Sequence, residues 1–163
     1  AEAFGSPDTT ALRITVLSFG FKYGVPIDAD LIADMRFLPN PFWHPTLREK
    51  TGRDQDVSDY VRSQAGAEEF MEGYLALLNT MRPGYAREGK RFLTLGIGCT
   101  GGKHRSVAIS EELASRLAEM AGFRNVLVHG YDEIQIDIVE DVVRNHLGDL
   151  DDFVAGVSGY LGL

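Results

Sequence analysis

The sequence predicts an α/β fold with a mostly parallel sheet and flanking helices, plus a C-terminal pair of α-helices. Residues 92–97 form an apolar run that leads through a glycine-rich turn into residues 108–118, whose apolar positions recur at helical spacing. Residues 13–19 alternate in polarity and contain β-branched residues, as strands do. The β-branched segment 125–129 follows the helix and a glycine, where a crossover helix normally returns to a further parallel strand.

The elements between these segments give weaker patterns. Residues 31–37 indicate a second strand, whereas residues 38–45 contain too many prolines for regular structure. Apolar residues at helical spacing predict a short helix over residues 56–61 and a longer one over residues 67–81. The basic segment 82–91 then predicts a solvated loop before the central strand.

Composition restricts the class of protein. The chain has 163 residues, of which 44% are hydrophobic and 25% are charged, as in one ordinary globular domain. Its single cysteine excludes an intramolecular disulfide, and no cysteine–histidine spacing matches a zinc site, so we expect neither a metal nor a cofactor. The apolar runs are too short to cross a membrane and no signal peptide opens the chain, so we expect a cytoplasmic protein.

The net charge of −8 is concentrated at the C-terminal end. Residues 132–163 hold eight acidic residues and one basic residue, which disfavours indiscriminate nucleic-acid binding by the whole molecule. The same segment carries two apolar stripes at helical spacing, which must pack on the sheet, on each other or in a homo-oligomer. We therefore divide the chain into a flexible terminus (1–11), an α/β anion-binding domain (12–131) and an acidic helical extension (132–163).

The most informative segment is Gly98–Val107, with the sequence GCTGGKHRSV. It lies between the predicted central strand and the following helix. Unpaired backbone N–H groups at a helix N-terminus, together with the positive end of the helix dipole, favour an anion. Lys103, His104 and Arg105 add three cationic donors at the same place. The segment therefore predicts a binding site for an anion, and phosphate is the expected one.

Other cationic residues follow the ends of the predicted strands. Ligands of parallel sheets bind at the carboxyl ends of the strands, where the loops 20–24, 34–48 and 98–105 should meet. Besides the three cationic residues of the glycine-rich segment, these loops would offer Lys22, Arg36 and Arg48. Such a cluster of cations needs an anionic ligand.

Two known phosphate chemistries can be compared with this segment. A nucleotide P-loop is excluded because the spacing between its glycines is one residue short and His104 replaces the hydroxyl residue. Cys99 and Arg105 do have the Cys-x5-Arg spacing of cysteine phosphatases, so a phosphatase remains an alternative. Its general acid would have to be Asp34, Asp54 or Asp56, none of which the sequence marks out. We interpret Cys99 as a non-nucleophilic residue lining the anion site.

Several segments together resemble the C-terminal domain of the RapZ family of RNase adapter proteins. They are SFGFKYG from Ser18, RFLPNP from Arg36, Leu47–Arg48 with Thr51–Gly52, and GIGCTGGKHRSV from Gly96, and the likeness spans about residues 12–118. The resemblance implies a domain similar to a phosphofructokinase subdomain that binds a phosphorylated sugar or nucleotide sugar. In some members it also binds small RNA and presents it to a ribonuclease. The candidate ligand-binding residues are then Lys22, Arg36, Cys99, Thr100, Gly101, Gly102, Lys103, His104 and Arg105.

The chain departs from this family in two respects. The family's N-terminal kinase-like domain is absent from the sequence, so we expect no nucleotide hydrolysis. The family usually has histidine before the tryptophan of its Asn-Pro-His-Trp motif, whereas this chain has Phe42 before Trp43 and a histidine only at His44. We therefore expect a binding or adapter domain more than an enzyme.

A second resemblance covers residues 118–162, which are similar to the C-terminal half of HepT toxins, ribonucleases of the HEPN class. That family carries arginine and histidine on one helix face, and Arg124 and His129 match them by position. The alternative function is therefore a metal-independent ribonuclease toxin that uses these two residues. It requires a helix where the α/β interpretation requires a strand. We favour the strand.

Overall fold

A computed structural model describes residues 12–120 and 123–131. The chain divides into a unit of residues 1–132 and a unit of residues 133–163, and every described residue belongs to the first. The predicted terminus 1–11 and helical extension 132–163, with the proposed homo-oligomer contact, lie outside the described residues. No helix in the described part of the chain is long and apolar enough to span a membrane.

Four parallel strands form one sheet, which confirms the α/β fold class. The strands are β1 (Leu12–Gly20), β2 (Leu31–Asp34), β3 (Phe92–Cys99) and β4 (Phe123–Tyr131), in the order β2-β3-β1-β4. The helices are α1 (Gln55–Arg62), α2 (Ala67–Arg87) and α3 (Arg105–Glu119). Short 3-10 turns span Phe21–Tyr23, Met35–Phe37 and Pro41–Trp43.

The register of the two central strands places their carboxyl ends side by side. Gly20, the last residue of β1, lies opposite Cys99, the last residue of β3. Asp34 at the end of β2 lies opposite Gly98. The loops that follow these three strands therefore begin at one edge of the sheet, where parallel sheets bind ligands.

The core lies between the sheet and the helices. Val16, Leu95 and Ile97 of the central strands are fully buried and belong to one apolar cluster with Ile109 and Leu113 of α3. Burial of each large aliphatic side chain contributes about 1.5–3 kcal/mol to stability. This packing fixes α3 against β3, and it thereby fixes the loop that joins them.

Two predicted boundaries are wrong. Strand β2 ends at Asp34, because the Asp34 carboxylate accepts a hydrogen bond from the backbone N–H of Arg36 at 2.9 Å and starts a 3-10 turn. Helix α2 continues through Pro83 to Arg87, so the first part of the basic segment 82–91 is helical. Its end is closed by the N–H of Glu88, which donates to the carbonyl of Gly84 at 3.1 Å.

Residues 123–131 form strand β4, which pairs with β1 and confirms the strand interpretation of this segment. The ribonuclease alternative needs Arg124 and His129 on one helical face, where five residues rise about 7–8 Å. In a strand, the rise is about 3.3 Å per residue, or about 16 Å between the two Cα atoms. The helical juxtaposition that the alternative requires is therefore not formed.

Candidate functional site

The glycine-rich loop (residues 100–104) packs directly on the end of β1. A Cβ atom added to Gly20 would lie 2.7 Å from the backbone carbon of Gly101, and one added to Gly102 would lie 2.8 Å from the backbone nitrogen of Gly20. Gly102 also has a φ of 73°, in the left-handed region that favours glycine. The two glycines let the loop backbone approach β1 closely enough to turn into α3.

The other side of the loop is held by residues 48–52. The N–H of Gly52 donates to the carbonyl of Lys103 at 2.9 Å. The backbone carbonyl of Arg48 lies 3.2 Å from Nζ of Lys103 and 3.1 Å from Nε2 of His104. The loop is therefore fixed from both sides before any ligand binds.

Arg105 is the first residue of α3 and only 5% of it is exposed. Its Nη1 donates to the carbonyl of Leu38 at 2.9 Å, and its Nη2 donates to the hydroxyl of Thr100 at 3.2 Å. Its buried Nε has no hydrogen-bond partner, and among the described residues no carboxylate forms an ion pair with the guanidinium. A buried cation without a direct ion pair is costly, and the Asp34 carboxylate, which also interacts with the charge of Arg105, is already paired with Arg36, so this arrangement favours an anion.

Cys99 ends β3 beneath the loop and is 3% exposed. Its Sγ lies 3.2 Å from the hydroxyl oxygen of Ser106. Burial raises the pKa of the Cys99 thiol, but hydrogen bonds from Ser106 and Gly102 and the charge of Arg105 lower it more, so the pKa falls below its ordinary value. The same groups that would stabilise a bound anion thus stabilise a thiolate.

His104 is also buried, with 7% of the residue exposed. Burial lowers the pKa of His104, and the charge of Lys103 lowers it further, although the hydrogen bond to Arg48 opposes both. The lowered pKa favours the neutral ring of His104, which donates from Nε2 to the Arg48 carbonyl. Its role at the site is to anchor the loop.

A cavity of about 420 Å³ opens above the loop. It is lined by candidate residues of the loop and its flanks and also by three aromatic residues, Tyr23, Phe42 and Trp43. We call these three residues the aromatic wall. The lining residues are Lys22, Tyr23, Asn40, Phe42, Trp43, Cys99, Thr100, Gly101, Lys103, His104 and Arg105.

Two of the predicted residues lie elsewhere. Gly102 faces a smaller cavity of about 120 Å³ on the other side of the loop, which Lys103 also lines. Arg36 does not line the 420 Å³ cavity, because its guanidinium pairs with Asp34 at 2.6 Å and lies 4.2 Å from the ring centre of Phe21. Lys22 does reach the cavity, with its Nζ 4.3 Å from the ring centre of Tyr23.

The general acid that the phosphatase alternative requires is not at the site. Among the described residues, no carboxylate lines the cavity. Asp34 pairs with Arg36, Asp56 pairs with Lys50, and Asp54 accepts hydrogen bonds from Thr51. The arrangement can therefore hold a phosphoryl group, but it supplies no side-chain carboxylic acid to protonate a leaving group.

Sequence reasoning missed the aromatic wall. Its residues lie in the glycine-flanked turn after β1 and in the proline-rich stretch 38–45, where local sequence patterns predict no regular element. A usable signal was the run of aromatic residues beside the conformationally restricted Pro39 and Pro41. The described residues also contain no group of three or more histidine, cysteine or acidic residues that could hold a metal.

Comparison with known proteins identifies the domain. The family described as the RapZ C-terminal domain matches residues 12–131. The chain belongs to the RapZ C-terminal domain family. The match reaches the end of β4, so the last strand is part of the RapZ C-terminal domain and the segment 118–131 does not need a second family to explain it.

Several relatives of this RapZ C-terminal domain are named nucleotide-binding protein. The one from Nocardioides sp. is 60% identical over 129 residues, which cover 79% of this chain and 42% of the relative. The one from Saccharopolyspora erythraea is 60% identical over 128 residues, which cover 78% of this chain and 44% of the relative. The one from Rhodococcus jostii is 56% identical over 128 residues, which cover 78% of this chain and 42% of the relative. The chain therefore spans less than half the length of these relatives.

Proposed function

We propose that this RapZ C-terminal domain binds a phosphorylated sugar or a nucleotide sugar in the 420 Å³ cavity. The phosphoryl group would lie at Arg105 and the glycine-rich loop, and the rest of the ligand would extend toward the aromatic wall. The volume is within the range of pockets for small ligands, and the loop is fixed in advance by Gly20 and Arg48. The names of the relatives agree with a phosphorylated ligand.

The observation that carries this proposal is the state of Arg105. Its guanidinium is buried, its Nε has no partner, and its other contacts are neutral oxygens of Leu38 and Thr100. A bound phosphoryl group would supply the missing negative charge at the N-terminus of α3. Charge-assisted hydrogen bonds of this kind contribute about 1.5–3 kcal/mol each.

Thermal unfolding in the presence of a phosphorylated amino sugar or a nucleotide sugar tests the proposal. At a ligand concentration of 100 times Kd, binding stabilises the folded state by about 2.7 kcal/mol. For a chain of this size, that corresponds to a rise in Tm of about 5–10 °C. We expect Arg105→Ala to abolish the rise, because the variant removes the buried positive charge.

Arg62→Ala is the matched control. Unlike Arg105, Arg62 is paired with a carboxylate on α3, that of Glu112 at 2.8 Å, and it does not line the cavity. The control variant should keep the full ligand-dependent rise in Tm even if its own Tm is lower. If no phosphorylated sugar, nucleotide sugar or inorganic phosphate shifts the Tm of the wild-type protein, the proposed function is wrong.

We also propose that the domain acts in RNA regulation as part of an RNase adapter, with small RNA and a ribonuclease as partners. Membership of the RapZ C-terminal domain family supports this role. The net charge of −8 means that RNA would have to bind a local surface. A gel-shift titration with a structured small RNA, with and without the phosphorylated ligand, tests the role. Absence of a shift at micromolar protein contradicts it.

A further inference from the structure

We propose that Cys99 is a modification site at which hydrogen peroxide oxidises the thiol to a sulfenate, and that this oxidation closes the anion site. The modification goes beyond the proposed function, and only its consequence, the loss of phosphate binding, rests on that function. Cys99 is the single cysteine of the chain, so no second thiol of the same chain can convert the sulfenate to a disulfide.

Cys99 is shielded from bulk solvent but borders a cavity. The residue is 3% exposed, and it lines the cavity of about 420 Å³ together with Thr100 and Arg105. Hydrogen peroxide has two heavy atoms, and a water molecule, which has one, occupies about 30 Å³ in the liquid, so the cavity admits peroxide easily. A small oxidant therefore reaches the thiol without unfolding the protein.

A second group in the same cavity calls for a ligand independently of the cysteine. Arg105 is 5% exposed, and its buried Nε has no hydrogen-bond partner. Its Nη2 donates to the hydroxyl of Thr100 at 3.2 Å, which holds the guanidinium at the loop. The oxygens of peroxide accept hydrogen bonds, and the oxygen of a sulfenate is negatively charged. Both the oxidant and its product therefore match the free donor of Arg105.

The surroundings of the sulfur favour the reactive form of the side chain. The Sγ of Cys99 lies 3.2 Å from the hydroxyl oxygen of Ser106. Burial raises the pKa of the thiol, but hydrogen bonds from Ser106 and Gly102 and the charge of Arg105 lower it more. Oxidation by peroxide follows thiolate character and access, and Cys99 has both.

The chemical step needs no group beyond the thiolate and the oxidant. The sulfur attacks one peroxide oxygen, the S–O bond forms as the O–O bond breaks, and the proton of the attacked oxygen passes to the departing hydroxide. The products are the Cys99 sulfenate and water, and the two electrons that sulfur loses are gained by the peroxide oxygens. A carboxylic acid is not required, so the lack of one in the described lining does not affect this reaction.

The added oxygen would compete with a phosphoryl group for the same place. It supplies negative charge beside Arg105, and it repels a second anion in the cavity. Dithiothreitol reverses the change, because it reduces the sulfenate to the thiol and is itself oxidised to its disulfide, while the oxygen leaves as water. Oxidised protein should therefore lose its calorimetric response to inorganic phosphate and recover it after this reduction.

The rate of oxidation in folded and in urea-unfolded protein tests the site. After timed exposure of the full chain to peroxide, catalase removes the oxidant, and urea with dimedone then traps the sulfenate for mass spectrometry. Lowering a thiol pKa by one unit raises the thiolate fraction about tenfold and costs about threefold in nucleophilicity, so oxidation gains about threefold. We expect the folded protein to react at least about threefold faster than the unfolded chain.

Two serines of α3 give a matched pair of variants. Ser106 and Ser110 are both fully buried, but Ser106 contacts the Cys99 sulfur, whereas the Ser110 hydroxyl has no hydrogen-bond partner. Ser106→Ala should slow oxidation at least about threefold and move the pH midpoint of the rate upward, since a hydrogen bond to the thiolate is lost. Ser110→Ala should leave both the rate and its pH midpoint unchanged.

The outcomes separate this inference from the proposed function. Slower oxidation of the folded protein than of the unfolded chain is the behaviour of an inert buried cysteine and overturns the inference, as does undiminished phosphate binding by the oxidised protein. Either result leaves the proposed function standing. Rapid oxidation of a folded protein that binds neither phosphate nor a phosphorylated sugar removes the proposed function and the effect on binding, while the modification site stands.

Discussion

Arg105 contacts or influences several groups of the candidate site. It is buried at the N-terminus of α3, it is linked to the loop through Thr100, and its charge helps to lower the pKa of the Cys99 thiol. Arg105 and Cys99 are six residues apart in sequence but meet because β3 and α3 are joined by a tight loop. This local closeness explains why both residues can be proposed as site candidates from the sequence alone.

The state of Cys99 should control ligand affinity. A thiolate would place negative charge beside the phosphoryl group, so the ligand binds best when the thiol is protonated. Because the pKa of Cys99 is lowered, we expect affinity to fall as pH rises through that pKa, and Cys99→Ser to remove this loss. Calorimetric titrations of the ligand between about pH 6 and about pH 9 measure this loss of affinity.

Thiol alkylation gives an independent check of the same linkage. Cys99 is 3% exposed and lines the cavity, so a bound phosphoryl group would raise the pKa of the thiol and block its access through the cavity, and iodoacetamide should then react more slowly. Equal alkylation rates with and without ligand, in a protein that demonstrably binds the ligand, would contradict the placement of Cys99 at the site.

At the scale of elements, the site depends on close packing between the glycine-rich loop and the end of β1. Gly102 has a positive φ, and a Cβ there would also meet the backbone of Gly20. Both constraints follow from the register that sets Gly20 beside Cys99. The loop therefore has little freedom to shift without disturbing the sheet.

Gly102→Ala should lower stability and weaken ligand binding together. The left-handed backbone conformation alone costs about 1–2 kcal/mol for alanine, and the contact with Gly20 adds to it. Urea unfolding measures the loss. Gly73→Ala is the matched control: Gly73 lies within α2 with no atom near an added Cβ, so this change should stabilise the protein by about 0.5–1 kcal/mol. A neutral Gly102→Ala variant would contradict the packing account.

The elements also show what the sequence could and could not predict. The loop and α3 were predictable, because glycine pattern, apolar periodicity and cationic residues are all local signals. The position of the Arg36 side chain was not predictable from the sequence. Its guanidinium pairs with Asp34, two residues away, and so does not line the cavity. The run of aromatic residues was visible in the sequence, but the orientation of the aromatic wall was not predictable, because the position of Phe42 depends on Arg48 and on tertiary packing. Helix α2 continues beyond Pro83, although a proline inside a helix normally ends or kinks it.

At the scale of the whole molecule, the RapZ C-terminal domain accounts for residues 12–131, and the cavity is lined by residues between Lys22 and Arg105. We therefore expect a fragment of residues 1–132 to fold and to bind the ligand with the affinity of the full chain, within about threefold. Circular dichroism and calorimetry on the fragment test this. A folded fragment that fails to bind would show that residues 133–163 contribute to the site.

The most direct test of the central claim is a ¹⁵N-correlated NMR titration with inorganic phosphate. Its Nε–H gives Arg105 a side-chain signal of its own, in addition to the backbone amides of the glycine-rich loop. The account predicts saturable shifts of the Arg105 Nε–H and of the amides of Gly101 to Arg105, with smaller changes elsewhere. If these signals stay unchanged while phosphate is in excess, Arg105 and the loop do not form an anion site.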